Sequence, residues 1–209
     1  VNELCQKLTE YQMDQVVLHV GQDLSYPTEQ IRTGFASELR TQSFADLCVV
    51  LLENPNPDTV VTHGMEDEAF LRAKVPMTKS EVRSISLSKL RLAKDSVVYD
   101  VGAGTGSISI EAALQAEDGY VYAIEKKEEA VALMRENQKK FAVDNLEIVE
   151  GLAPESLESL PTPTHVFVGG SSGNMKTILE LVLKKNPSVR IVINCIALET
   201  VAESLDCVK

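Results

Sequence analysis

The sequence predicts an α/β fold, a doubly wound parallel sheet preceded by a small α/β fragment, and three observations carry that prediction. From Val97 onward, short apolar runs rich in β-branched residues alternate with stretches of helical period, the order that builds parallel strands joined by right-handed crossovers. The run Val97-Val-Tyr-Asp-Val-Gly-Ala-Gly-Thr-Gly-Ser107 reads without interruption as buried strand, glycine turn and helix start. A carboxylate, Glu125, then closes the next apolar run about 20 residues beyond the glycines, as it does where an open sheet holds a ribose.

Taken in order, Leu4, Leu8 and Tyr11 repeat at helical spacing, and Val16-Val-Leu-His-Val-Gly21 is a strand ending on glycine. Ser25-Tyr-Pro-Thr-Glu29 is a turn, the polar piece that follows to Asp46 is predicted helical, and Leu47-Cys-Val-Val-Leu-Leu52 is a strand. Asn54-Pro-Asn-Pro-Asp58 breaks any regular element, because proline fixes φ and restricts the residue before it. A boundary falls there. It separates a fragment over residues 1–63 and an aperiodic linker over 64–75 from a main domain over 76–209. Thr78 and Glu81 have capping-box spacing, with Met77 and Val82 as its hydrophobic staple and a helix to about Leu90. Val97 to Val101 is a strand covered on both faces, and a helix follows from Ser107. Tyr120 to Glu125 is the second strand, followed by a helix with Ala130, Leu133, Met134, Asn137 and Phe141 on one face. Asn145 to Glu150 and His165 to Gly169 are the third and fourth. Met175, Ile178, Leu179 and Val182 mark the helix from Asn174 to Lys185, and Arg190 to Asn194 is the fifth strand.

Composition narrows the function classes. A formal net charge of −11 argues against non-specific nucleic-acid binding, which needs a basic footprint. No apolar run approaches the roughly 20 residues of a membrane span, and the first residues lack the pattern of a signal peptide. Cys5, Cys48, Cys195 and Cys207 form no C-x-x-C pair, and His19, His63 and His165 show no ligand spacing, so no metal is expected. A reduced, cytoplasmic protein is the simplest reading.

Ligands of such sheets sit outside the carboxyl ends of the strands. The candidates there are Asp100 to Gly106, Glu125, Glu150 to Ala153, Gly169 to Ser172 and Asn194. Gly102, Gly104 and Gly106 permit positive φ and close backbone approach, with Ala103 and Thr105 between them. The third glycine comes one place too early for a dinucleotide fingerprint, and Ser107 holds the usual position. Asp100 would repel a pyrophosphate yet suits a ligand bearing an ammonium and a sulfonium. D-x-G-x-G-x-G with an acid ending the next strand is the pattern of the S-adenosylmethionine-dependent methyltransferases, which makes S-adenosyl-L-methionine the expected cofactor. Arg72, Lys74, Lys79, Arg83, Lys89, Arg91 and Lys94 face only Glu81 as an acid between positions 72 and 94. Lys79 and Arg83, one helical turn apart, are the first candidates to receive an anionic substrate. Gly169 and Gly170 leave room for methyl transfer, Asn194 is a polar substrate candidate, and Cys195 reads as a small core residue. No general base stands out.

Beyond pattern, the wording of several stretches resembles the decarboxylating precorrin methyltransferases of cobalamin biosynthesis. They are Lys74-Val-Pro-Met-Thr-Lys-Ser-Glu-Val-Arg83, Asp100-Val-Gly-Ala-Gly-Thr-Gly-Ser-Ile-Ser-Ile-Glu-Ala-Ala113, Tyr122-Ala-Ile-Glu-Lys126, Phe167-Val-Gly-Gly-Ser-Ser-Gly-Asn174 and Asn194-Cys-Ile-Ala-Leu-Glu-Thr200. The resemblance implies methylation of C15 of a precorrin with decarboxylation of its C12 acetate, the conjugated macrocycle acting as electron sink. It implies cofactor contacts from Thr78, the turn from Gly102 to Gly106, Glu125 and Ala153. Leu152 stands where relatives commonly place an aspartate, so the adenine amino group would lose a side-chain acceptor. A polycarboxylate substrate would suit Lys79 and Arg83, and a homotetramer is implied. Gly21-Gln-Asp-Leu-Ser-Tyr-Pro27 and Glu53-Asn-Pro-Asn-Pro57 resemble the closing part of the C5-methylating half fused ahead of this domain in two-domain members. The expectation is a fragment without C5 activity of its own, followed by a domain lacking the family's last strands. Methylation of another small molecule, and a cofactor-binding but inactive fragment, are the alternatives.

Overall fold

The computed structural model describes residues 1–55 and 63–207. The chain divides into two compact units, Val1–Val60 and Val61–Lys209. The predicted break from Asn54 to Asp58 lies partly outside the described residues.

In the first unit β1 (Val17–Gln22) is the centre of a three-stranded antiparallel sheet, flanked by β2 (Gln30–Phe35) and β3 (Cys48–Glu53). Side chains of a strand alternate between faces, so Leu18 and Val20 share one face. They pack there with Cys5 and Leu8 of α1 (Asn2–Glu10) and with Ala36 and Leu39 of α2 (Ala36–Leu39). β2 corrects the helix predicted from the polar piece before Asp46. Its side chains are mostly exposed, so it carries no apolar alternation to read, and pairing with β1 extends it.

The second unit contains β4 (Val97–Val101), β5 (Tyr120–Glu125), β6 (Leu146–Glu150), β7 (His165–Val168) and β8 (Arg190–Ile193), all parallel. Their order is β6-β5-β4-β7-β8. The chain steps outward from β4 through β5 to β6, then returns to the other side of β4, which makes the end of β4 a topological switch point. Alternation drives burial on both faces. Val98, Val121, Ala123 and Phe167 face one core with Leu87 and Leu90 of α3 (Ser80–Leu90), Ile108 and Ile110 of α4 (Ser107–Gln115) and Met134 of α5 (Glu128–Lys140). Tyr99, Val101, Tyr122, Ile124, Val166 and Val168 face the other with Met175, Ile178 and Val182 of α6 (Met175–Lys185). A last helix, α7 (Leu198–Cys207), was not anticipated.

Two local expectations are corrected. The capping box does not form: α3 starts at Ser80 with Lys79 as N-cap and no side-chain cap hydrogen bond. The Thr78 carbonyl instead accepts from Arg83 Nη1 at 2.7 Å, and the Glu81 carboxylate from Ser80 Oγ at 3.3 Å. Val82, the predicted staple partner of Met77, is exposed. The stretch read as a linker is packed, with Met65, Phe70 and Val75 buried. Anchors at irregular intervals leave no period to detect. Among the described residues no helix is long and apolar enough to cross a membrane, and no cluster of side chains has the makings of a metal site.

Candidate functional site

A cavity of ≈ 500 Å³ lies over the carboxyl ends of the parallel strands, walled by residues 75–79, 102–104, 124–127, 151–153, 169–172 and 194–196. Its floor is the glycine turn. Gly102, Gly104 and Gly106 all have positive φ, at 76°, 58° and 76°, and the Gly102 and Ala103 amides donate to the Ile124 carbonyl at 2.9 and 3.1 Å. Each glycine is required by a different neighbour. A Cβ on Gly102 would come 2.7 Å from the Gly170 carbonyl oxygen, and one on Gly104 2.9 Å from that of Pro76. One on Gly106 would meet the Met134 side chain.

Glu125 ends β5 inside the cavity wall, and backbone donors fix its carboxylate. Oε2 accepts from the Gly104 amide at 3.0 Å, and Oε1 from the Lys126 and Lys127 amides at 2.9 Å each. A carboxylate oxygen has two lone pairs, so Oε2 keeps acceptor capacity for a ligand hydroxyl. Asp100 corrects the expectation of direct ligand contact. It is 1% exposed and absent from the cavity wall, because strand alternation turns it toward α4, where Ser109 Oγ donates to Oδ2 at 2.5 Å. Among the described residues its Oδ1 has no hydrogen-bond partner. Burial pushes its pKa up to about 7, the Ser109 hydrogen bond opposes the rise, and the Glu125 charge adds to it. Thr105 and Gly106 also lie behind the wall, Thr105 at 1% exposure.

Of the other sequence candidates, Thr78, Lys79, Gly102, Ala103, Gly104, Leu152, Ala153, Gly169, Gly170 and Asn194 line the cavity. Lys79 is largely exposed and pairs with Asp67 at 2.8 Å, which holds the Asp67 carboxyl below its ordinary value. Asn194 accepts from Ser86 Oγ at 3.2 Å. An added Cβ on Gly169 would meet the Phe167 ring at 3.1 Å, whereas one on Gly170 would meet nothing within 4 Å. Arg83 is a correction. It is fully buried, its Nε donates to Glu111 Oε1 at 2.5 Å, and it reaches neither solvent nor cavity. Helical spacing from Lys79 misleads because Lys79 is the N-cap, outside the helix. Glu111, a carboxylate inside the apolar helix α4, is the sequence signal for a buried cation. Cys195 is also corrected: it is exposed and lines the cavity.

Sequence reasoning missed Lys126, Lys127 and the apolar wall of Val75, Met77 and Ile196. Lys126 Nζ donates to Ser172 Oγ at 3.0 Å, joining the loops after β5 and β7. It missed Glu203 too. Its carboxylate caps α6 by accepting from the Met175 amide at 3.0 Å, and it accepts from Ser171 Oγ at 3.3 Å. That contact anchors the loop forming one wall.

A parallel sheet that reverses at β4, with a glycine turn and a strand-closing carboxylate beneath a cavity, is the Rossmann-like fold of the S-adenosylmethionine-dependent methyltransferases. Within that class, residues 68–209 match the precorrin methyltransferase domain, and the chain belongs to this family. It is 44% identical over 148 residues to the probable cobalt-precorrin-6B C(15)-methyltransferase (decarboxylating) of Pyrobaculum calidifontis, covering 69% of this chain and 76% of that protein. Identity to the corresponding Salmonella typhimurium protein is 43% over 143 residues, covering 68% and 73%. Among solved structures, precorrin-6Y C5,15-methyltransferase from Geobacter metallireducens is similar with a TM-score of 0.68 at 39% identity, over 72% of this chain and 80% of that one.

Proposed function

We propose that the chain binds S-adenosylmethionine over the glycine turn and methylates C15 of a precorrin with decarboxylation of its C12 acetate, a step of cobalamin biosynthesis. The observation that carries this reading is the cradle made by Gly102, Gly104 and Glu125. It is backbone with no room for a Cβ, beside a carboxylate held by three amides with acceptor capacity to spare. Such a surface suits a ribose and a flexible cationic tail. The cofactor, when bound, supplies a methyl group already activated on a sulfonium.

The protein's part is to orient donor and acceptor and to exclude water. Glu125 Oε2 takes a ribose hydroxyl. Leu152 packs on the adenine and offers it no polar partner, leaving backbone near Ala153 to hold the ring. Val75, Met77 and Ile196 keep that side of the cavity apolar. In a chain of net charge −11, Lys79, Lys126 and Lys127 gather a local positive field at the cavity for a substrate rich in carboxylates. Thr78 and Asn194 offer polar contacts, and Gly169 and Gly170 keep the transfer path clear of side chains. The family resemblance also supports a homotetramer in a cytoplasmic setting.

Calorimetric titration with S-adenosylmethionine tests the cofactor reading. Glu125→Ala is expected to weaken binding by about 1–3 kcal/mol, through loss of hydrogen bonds to a charged acceptor. Unchanged affinity would contradict the placement of the ribose. Absence of binding by the unaltered chain would contradict the reading as a whole.

A further inference from the structure

The geometry points to residues 64–79 as a strap clasped over the glycine turn, with Arg83 and Asn137 as the positioning residues that hold it. Apart from one short turn at Asp67–Ala69 the strap has no regular structure. Its order therefore rests on its buried Met65, Phe70 and Val75 and on the side chains that satisfy its backbone groups.

Among the described residues four side chains do so: Glu111, Lys140, whose Nζ donates to the Ala69 carbonyl at 2.7 Å, and Arg83 and Asn137, which each take more than one backbone group and grip the strap at different points. The Arg83 guanidinium joins the two ends: Nη2 donates to the Met65 carbonyl at 2.5 Å and Nη1 to the Thr78 carbonyl at 2.7 Å. Glu111 orients this clasp, one oxygen accepting from Arg83 Nε and the other from the Gly64 amide at 2.8 Å. The Phe70 ring covers the guanidinium, its centroid 4.7 Å from Cζ. Asn137 grips the middle. Its Nδ2 donates to the Leu71 carbonyl at 2.7 Å, and its Oδ1 accepts from the Leu71 amide at 2.8 Å. The same Nδ2 donates to the Thr105 carbonyl at 3.0 Å, so one fully buried side chain ties the strap to the glycine turn.

The consequence falls on the cavity. Residues 75–79 form part of its wall, and the Pro76 carbonyl sits where a Cβ on Gly104 would place it at 2.9 Å. Neither Arg83 nor Asn137 lines the cavity. They act through the strap, fixing the wall before a ligand arrives and sparing the ligand the entropy of ordering it. The part of this inference that concerns affinity rests on the cofactor reading above.

Asn137→Ala and Arg83→Lys in the full chain test it by two measurements, native-state hydrogen exchange and calorimetric titration with S-adenosylhomocysteine. Alanine removes every Asn137 contact. Lysine keeps the charge facing Glu111 but lacks the fork that reaches both carbonyls. Both variants are expected to speed exchange of the strap amides at Gly64 and Leu71, which donate to Glu111 and Asn137, by about tenfold or more, with β4 and β5 unchanged, and to raise the dissociation constant about tenfold. Exchange that rises equally in strap and sheet would mean a merely structural role and overturn the inference. So would unchanged affinity in a folded variant, or failure of both variants to fold. If one fails to fold, the other decides, because the two act at different points. An unaltered chain that binds no S-adenosylhomocysteine contradicts the cofactor reading and the affinity part, while strap exchange still tests the clasp by itself.

Discussion

Gly102→Ala is expected to lower S-adenosylmethionine affinity about a hundredfold or more, a loss near 3 kcal/mol. Two causes act together. At φ 76° a residue with a Cβ is strained by about 1–2 kcal/mol. The new methyl would also lie 2.7, 2.9 and 3.0 Å from the Gly170 O, N and Cα, and backbone atoms cannot rotate away as a side chain can. Relief requires the turn and the loop after β7 to separate, and both are walls of the cavity. Gly106→Ala is the control. Its φ is the same, but its Cβ would meet the buried Met134 side chain, which lies outside the cavity wall, so its cost falls on stability rather than on the ligand site. Calorimetry on the two variants, with urea midpoints to separate stability from binding, distinguishes them. A Gly102 variant that binds as the unaltered chain does would show that the turn is not the floor of the ligand site.

Asp100→Asn is expected to stabilise the fold more at pH 8 than near pH 4, by about 2–4 kcal/mol. Burial lifts the Asp100 carboxyl to about 7 from its ordinary 3.8. Between those values the folded state keeps a proton that the unfolded state has lost. Stability from this group is therefore fully present below the unfolded value and is lost as pH rises through the folded one. Asparagine matches the shape, still accepts from Ser109 Oγ and carries no charge, so it removes the cost of burying a charge, while its Nδ2 sits unpaired where Oδ1 was, a cost that does not change with pH. Urea unfolding of both proteins across this range checks the sign. Parallel curves would show that Asp100 does not titrate in the fold. The same change should weaken binding of a cationic cofactor, which sets stability against function at this position.

Strands β4, β5 and β7 were legible because burial on both faces leaves nearly continuous apolar runs, the edge strands β6 and β8 from their β-branched residues, and Glu125 from its distance to the glycines. β2 was not, since an exposed edge strand takes its conformation from its partner. Asp100 was found by its chemistry but misplaced by contact, because a turn pattern does not say which face of the strand its acid takes. Arg83 was misread because charge counts treat every basic residue as a surface group. Its partner Glu111, enclosed by Ile108, Ile110, Ala112 and Ala113, pointed inward. The wall from residue 75 to 79 left no periodic trace, being shaped by side chains distant in sequence, Arg83 and Asn137 among them.

Incubating the chain with methyl-labelled S-adenosylmethionine and a precorrin, with mass analysis of the tetrapyrrole product, tests the central claim most directly. The predicted product carries one labelled methyl at C15 and has lost the carboxyl of its C12 acetate. A precorrin recovered unmethylated and with that carboxyl intact, from a chain shown to bind the cofactor, would contradict it.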